Sequence, residues 1–230
     1  MKHTYLFLVF LLFLSCRNNH PINQNSSNFE LSEVNVSEFS EVLKEFKDFK
    51  AIQSLKYKDS YGTHYLIITH LPKRTVTNHP DYPGTEIQEE AIAILFLNEK
   101  KQKIAEKMIK ETAPFDLFVK YIPEATEIID VDEDKLAEIF LLVEHVARTD
   151  ISPSNLSVIA FSIGKIFHKK GRKRLIFSKG HPMEKDFPNG IGGEVDDSGI
   201  KEAPEKVAIK MNQIYQKYYK EDFEKHFQLN

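Results

Sequence analysis

Cysteine is almost absent. A single one, Cys16, stands in 230 residues. No disulfide can form within the chain, and no cysteine-rich zinc site exists. An excess of positive charge is also missing. The 31 basic and 34 acidic residues leave a formal net charge of −3. This excludes capture of nucleic acid through a bulk basic face. Repeats at a fixed period are lacking, and the chain is too short for a full propeller of several blades of about 40 residues each. Catalytic signatures are lacking too. The nine histidines are scattered without an HExxH pair, so a catalytic zinc is not expected. There is no GxSxG and no Walker A lysine, and no Ser/His/Asp set can be picked from sequence. Gly190-Ile191-Gly192-Gly193 is not a GxGxxG fingerprint and follows no predicted strand. What remains is the composition of a folded domain: 41% hydrophobic and 28% charged residues.

The N-terminus carries an ordered set of features. Lys2 and His3 precede an apolar run of ten residues, Tyr5–Leu14. A spanning helix needs about 20 apolar residues, so this run has the length of a signal-peptide core instead. It ends in Phe13-Leu14-Ser15-Cys16. A small residue directly before a lone cysteine resembles the lipobox of bacterial lipoproteins. The resemblance implies that Cys16 is diacylated and becomes the N-terminus. Each buried acyl CH₂ adds about 0.8 kcal/mol to anchoring. The alternative is an ordinary secretory signal with an incidental cysteine.

The expected organisation is a signal peptide over 1–15, a lipidated cysteine and flexible tether over 16–30, and one globular domain over 31–230. The tether is polar and lacks apolar periodicity. At 3.3–3.6 Å per residue its fourteen residues reach roughly 50 Å. Surface-exposed lipoproteins of Bacteroidota resemble one another in carrying acidic residues just after the cysteine. Here the first acidic residue is Glu30. That implies an outer-membrane protein facing the periplasm.

Within the domain, Phe39, Val42, Leu43, Phe46 and Phe49 share one helical face, predicting an amphipathic helix over 37–49 with Ser37 as N-cap. Strand patterns follow at 52–57, 65–69, 91–97, 102–110, 139–146, 156–163 and 175–177. The stretch 115–122 fits either strand or helix. Residues 72–90 read as a polar loop, 169–174 as a basic turn and 180–203 as a long loop. Pro204 suits the first position of a helix, in which Val207, Met211, Ile214 and Tyr218 form one apolar face. The expected fold is α+β and mainly β. It is an antiparallel meander sheet of seven or eight short strands between two helices.

The sharpest chemical feature is the acidic loop Asp130-Val131-Asp132-Glu133-Asp134-Lys135-Leu136-Ala137-Glu138. Its carboxylates stand at relative positions 1, 3, 5 and 9. Calcium takes six to eight oxygen ligands at 2.3–2.6 Å. The spacing resembles the nine-residue calcium loops of FG-GAP and related repeats, which also lie between two strands. The resemblance implies Asp130, Asp132, Asp134 and Glu138 as side-chain ligands and the Leu136 carbonyl as a further oxygen. Glu133 and Lys135 stand where those loops have glycine. A left-handed lysine costs roughly 1 kcal/mol. The alternative is a solvated acidic turn without an ion. In either case the loop would hold two strands in register.

A second resemblance covers more of the chain. Glu127–Phe161 joins the Asp-rich turn and its Ala137-Glu138 strand to Arg148, Asp150, Ser152 and Pro153, and then to another strand. This is similar to a family of Bacteroidota lipoproteins described as surface polysaccharide biosynthesis proteins. The hairpin around Asp59-Ser60-Tyr61-Gly62 resembles that family's early hairpin. Many members have cysteine where this chain has Ala147, which removes any redox role there. The resemblance implies an envelope protein linked to making or displaying cell-surface glycan. Its partners would be the membrane, through the lipid, and glycan or envelope biosynthesis proteins.

Arg148, Asp150 and Ser152 could bind a sugar or a partner, or simply form a self-bonded turn. The run Lys169–Arg174, five basic residues in six, is a solvated hairpin tip or a contact to anionic lipid phosphates, worth about 1 kcal/mol per basic residue. The leading expectation is a non-enzymatic accessory or binding protein. The rival is a glycan-processing enzyme using carboxylates of the Asp-rich region, which would need an acid and a base about 5–9.5 Å apart in one cleft.

Overall fold

Seven consecutive apolar residues, Ala91–Leu97, are all buried. A strand with one wet face would alternate, so this run requires a sheet covered on both sides. The computed structural model describes residues 29–77, 79–148 and 152–222. The expected signal peptide, most of the tether, Cys16 and Asp150 lie outside the described residues.

The first sheet holds β1 (Leu31–Glu33), β2 (Lys50–Asp59), β3 (Gly62–Val76), β4 (Ile87–Leu97) and β5 (Lys103–Ala113), side by side in that order and all antiparallel. The second holds β6 (Leu117–Tyr121), β7 (Glu127–Ile129), β8 (Glu138–Ala147), β9 (Asn155–Ser162), β10 (Lys165–Arg172) and β13 (Val195–Asp196). Its order is β13-β10-β9-β8-β6, with β7 also on β8. A small third sheet joins β11 (Arg174–Ile176) to β12 (Ile191–Gly192) and, in parallel, to β14 (Lys220–Asp222).

The protein is therefore mainly β, with antiparallel sheets. It departs from a single meander in having two main sheets, longer strands and one parallel pair. The two sheets face each other. Leu55, Leu66, Ile68, Ile94 and Phe96 of the first pack on Ile139, Leu141, Ile159 and Phe161 of the second. The rings of Phe96 and Phe161 stack at 4.4 Å.

Each outer face is covered by helix. The chain over 36–46 lays Phe39 and Phe46 on Ile67, Ala93 and Leu95 of the first sheet. The expected apolar face is thus used, but not by one helix. The segment breaks into a 3-10 turn (Val36–Phe39), α1 (Ser40–Leu43) and a second 3-10 turn (Lys44–Phe46). The cap is Asn35 rather than Ser37: the Asn35 side chain accepts from the Ser37 N–H at 3.0 Å. On the other side, α2 (Glu205–Tyr218) buries Val207, Met211, Ile214 and Tyr215 against Phe140, Leu142, Val158 and Ala160. Pro204 is its cap residue, one position before the expected site.

Three polar stretches are more ordered than expected. Much of 72–90 is strand, because Arg74 pairs across with Glu89 and Glu89 with Lys110. Cross-strand ion pairs stabilise a sheet as apolar pairs do, though without an apolar signal. The basic run 169–174 is not a hairpin tip but parts of β10 and β11. Lys169 is only 2% exposed and pairs with Asp197. Residues 180–203 contain β12, β13 and two 3-10 turns.

Gly171 sets how closely α2 approaches β10. A Cβ there would lie 2.2 Å from the Tyr215 hydroxyl and 2.7 Å from the Glu194 carbonyl. Gly171→Ala should therefore cost about 1–3 kcal/mol of stability. Urea unfolding checks this through a lower midpoint at unchanged slope.

Candidate functional site

The acidic loop is closed by the last pair of β7 and β8, Ile129 opposite Glu138. Inside it the carboxylates order the backbone. Asp130 Oδ1 accepts from the N–H groups of Glu133 (2.6 Å) and Asp134 (3.1 Å), and Oδ2 accepts from Lys135 (2.9 Å). Asp134 Oδ1 accepts from the Leu136 N–H at 2.7 Å. Glu138 Oε2 accepts from the Val131 N–H at 2.9 Å, and the Ser162 hydroxyl donates to Oε1 at 3.3 Å. Glu133 and Lys135 have φ of 70° and 71°. The chain therefore takes the left-handed turns at the two positions where glycine is usual, at a cost of about 1–2 kcal/mol each.

Asp130, Asp132 and Glu138 each place one carboxylate oxygen within 4.8 Å of the others. Asp134 is not in this group, and its carboxylate caps the Leu136 N–H instead. Glu138 is wholly buried. Burial pushes its carboxyl up to about 7, and the nearby charges of Asp132 and Asp134 push the same way. One oxygen of Asp132 is buried without a hydrogen-bond partner. Converging, under-neutralised carboxylate oxygens are the donor set of a hard cation such as calcium.

The loop also ties the two sheets together. Asp59, at the tip of β2, accepts from the Ala137 N–H at 3.3 Å, and the Ser60 N–H donates to the Lys135 carbonyl at 3.1 Å. Asp59 also accepts from His64 Nε2 at 3.2 Å and from the Tyr61 N–H at 2.8 Å. The Asp59–Gly62 turn and the acidic loop thus form one hydrogen-bonded unit.

Of the candidate turn, Arg148 and Ser152 are among the described residues and Asp150 is not. The Arg148 N–H donates to the Asp116 carbonyl at 3.0 Å, next to the start of β6.

Two polar groupings carry no sequence motif. The first is a cleft of about 540 Å³ at the margin of the two sheets. Ile52, His70, Glu90 and Ile92 reach it from the first sheet; Phe118, Lys120, Tyr121 and Glu144 from the second; Glu221 from β14. His70 Nε2 donates to Glu90 Oε1 at 2.7 Å, and the Val119 N–H donates to Glu90 Oε2 at 3.1 Å. His70 pairs with Ile92, so Glu90 is its diagonal neighbour. The pair could have been found from sequence had β3 and β4 been read to their full lengths.

The second grouping links Glu111, His145 and Ser157. His145 Nδ1 lies 2.5 Å from Glu111 Oε1, and its Nε2 lies 3.0 Å from the Ser157 hydroxyl. This is the order of a hydrolase relay. Ser157 is only 1% exposed and does not line this cleft. The chain of hydrogen bonds therefore serves to tie β5 to β8 and β9.

No family model, curated protein or solved structure matches the chain. Among the described residues, no helix is long and apolar enough to cross a membrane.

The raised Glu138 carboxyl gives stability a definite pH dependence. Between its ordinary 4.5 and about 7 the folded state holds a proton that the unfolded state has released. Stability contributed by this group is thus present below pH 4.5 and is lost as pH rises through 7. Glu138→Gln should flatten that slope, as measured by melting at intervals from pH 4.5 to 8 in a chelator.

Proposed function

We propose that this chain is a lipid-anchored envelope protein with an accessory or binding role, linked to the making or display of surface polysaccharide. Cys16 is the lipidation site, and the domain faces the periplasm from the outer membrane. The anchor is supported by the order of Lys2, the Tyr5–Leu14 run and Ser15-Cys16.

One observation favours a binding role over the carboxylate chemistry of a glycan-processing enzyme. Asp130, Asp134 and Glu138 accept from the loop's own backbone, and Asp130, Asp132 and Glu138 converge on one another. Asp130 also lines a shallow groove of about 340 Å³ with Lys206 and Lys210 of α2. The loop is a structural calcium site, with Asp130, Asp132 and Glu138 as side-chain ligands. Calcium there would offset the burial and the neighbouring carboxylate charges that raise Glu138. It would hold β7, β8 and the Asp59–Gly62 turn in register.

Three experiments test the parts. Calcium should raise the melting point, by an amount equivalent to about 2.7 kcal/mol at a hundredfold excess over Kd. Asp130→Asn with Asp132→Asn should abolish the rise; the same rise in that double variant rejects the site. Cys16→Ala should move the protein out of the membrane fraction, and retention there rejects the anchor. Deletion of the gene should alter the surface-glycan profile. An unchanged profile removes the polysaccharide link.

A further inference from the structure

The cleft between the sheets is separate from the acidic loop and shares no residue with it. Its volume lies in the range of small-ligand sites. A bulge in β2 borders it. Ala51 pairs with Thr69 and Gln53 with Ile68, so Ile52 is an extra residue bulged out of the ladder. Bulges re-aim side chains and recur beside binding sites. Ile52 is left 48% exposed at the cleft. The next side chain, Gln53, accepts from the Tyr121 hydroxyl across the sheets. Phe118 of β6, half-buried, supplies an apolar surface from the second sheet.

The polar groups select by charge and by hydrogen-bond sense. Glu90, Glu144 and Glu221 line the cleft against a single lining lysine, Lys120. That disfavours an anion. A second lysine, Lys173, lies 2.7 Å from Glu144 and 3.3 Å from Glu221, so much of the acidic charge is already neutralised and a polycation gains little. An ionised carboxylate only accepts hydrogen bonds and has about four lone-pair sites. Glu90 uses its oxygens on His70 and the Val119 N–H, which fix its orientation and leave acceptor capacity. The matching ligand is uncharged, rich in hydroxyl donors, and has a C–H face to set against Ile52 and Phe118.

We propose that this cleft binds a neutral sugar unit, its hydroxyls donating to Glu90 and Glu144 and its C–H face packing between Ile52 and Phe118. The assignment rests on the binding role proposed above and gives that role a ligand class and a place.

The test is calorimetric titration of the full-length chain, held in a detergent without a sugar headgroup. The probes are cellotriose, mannotriose and galactotriose, with a sialylated trisaccharide and spermidine as charged controls. At least one neutral trisaccharide should bind more tightly than both controls. Phe118→Ala and Ile52→Ser should each weaken it by about tenfold. Both side chains are partly exposed, so the variants should melt close to the parent, and if one does not, the other decides. Absence of binding, tighter binding of either control, or neutral binding that neither variant weakens each overturns the assignment. If sugars fail to bind while gene deletion still alters surface glycan, the cleft assignment falls and the envelope reading stands. If sugars bind and deletion changes nothing, the reverse holds.

Discussion

Burial of both sheets on both faces governs where every charge in the domain can go. The intersheet core takes the inward side chains, the N-terminal helical turns cover one outer face, and α2 covers the other. A charge placed within such layers must be paired or neutralised, because desolvation of a lone ion costs more than any packing contact returns. Several of the polar side chains that remain inside are paired: Glu90 with His70, Glu111 with His145, Lys169 with Asp197. Both proposed sites follow from this. The cleft lies where the sheets part, and the acidic loop lies where β7 turns into β8.

The layering also explains which parts of the structure were legible in the sequence. Strand cores such as Ala91–Leu97 and Ile139–Val143 are apolar throughout, and the C-terminal helix shows its face at helical spacing. These readings depend on local pattern alone. The number of sheets does not. Whether β5 continues a meander or hands over to a second sheet is decided by which faces meet, as when Phe96 stacks on Phe161 from 65 residues away. The ends of β3 and β4 were hidden for another reason. Their ladder is continued by Arg74, Glu89 and Lys110, residues that look like loop until their partners are known.

The functional groups divide in the same way. The acidic loop is contiguous, so its spacing exposed it, and the strained φ values at Glu133 and Lys135 fall at the two positions where the resemblance put glycine. Asp134 lies outside the converging carboxylates because its short side chain caps the neighbouring Leu136 N–H instead. The cleft is assembled from β2, β3, β4, β6, β8 and β14, and one lining residue, Ile52, is bulged out of its ladder. No local pattern carries such a site. A bulge has no signature in a strand whose exposed and buried residues already alternate imperfectly.

Glu89 and Glu138 put a physical constraint on the acidic loop. Both are buried glutamates on long strands, 4% and 0% exposed. Burial alone raises either carboxyl. At Glu89 the hydrogen bonds and charges of Lys110 and Arg74 overcome burial and hold the carboxyl below its ordinary range. At Glu138 the neighbouring charges are Asp132 and Asp134, which add to burial, and the carboxyl rises to about 7. The same side chain is thus supplied with cations in one sheet and with anions in the other. A proton or a metal ion must make up the difference at Glu138. A proton serves one oxygen of one residue. An ion between Asp130, Asp132 and Glu138 would serve three carboxylates at once, including the Asp132 oxygen that has no hydrogen-bond partner. It would also bind more tightly as pH rises through 7, because the proton that competes for Glu138 is then lost.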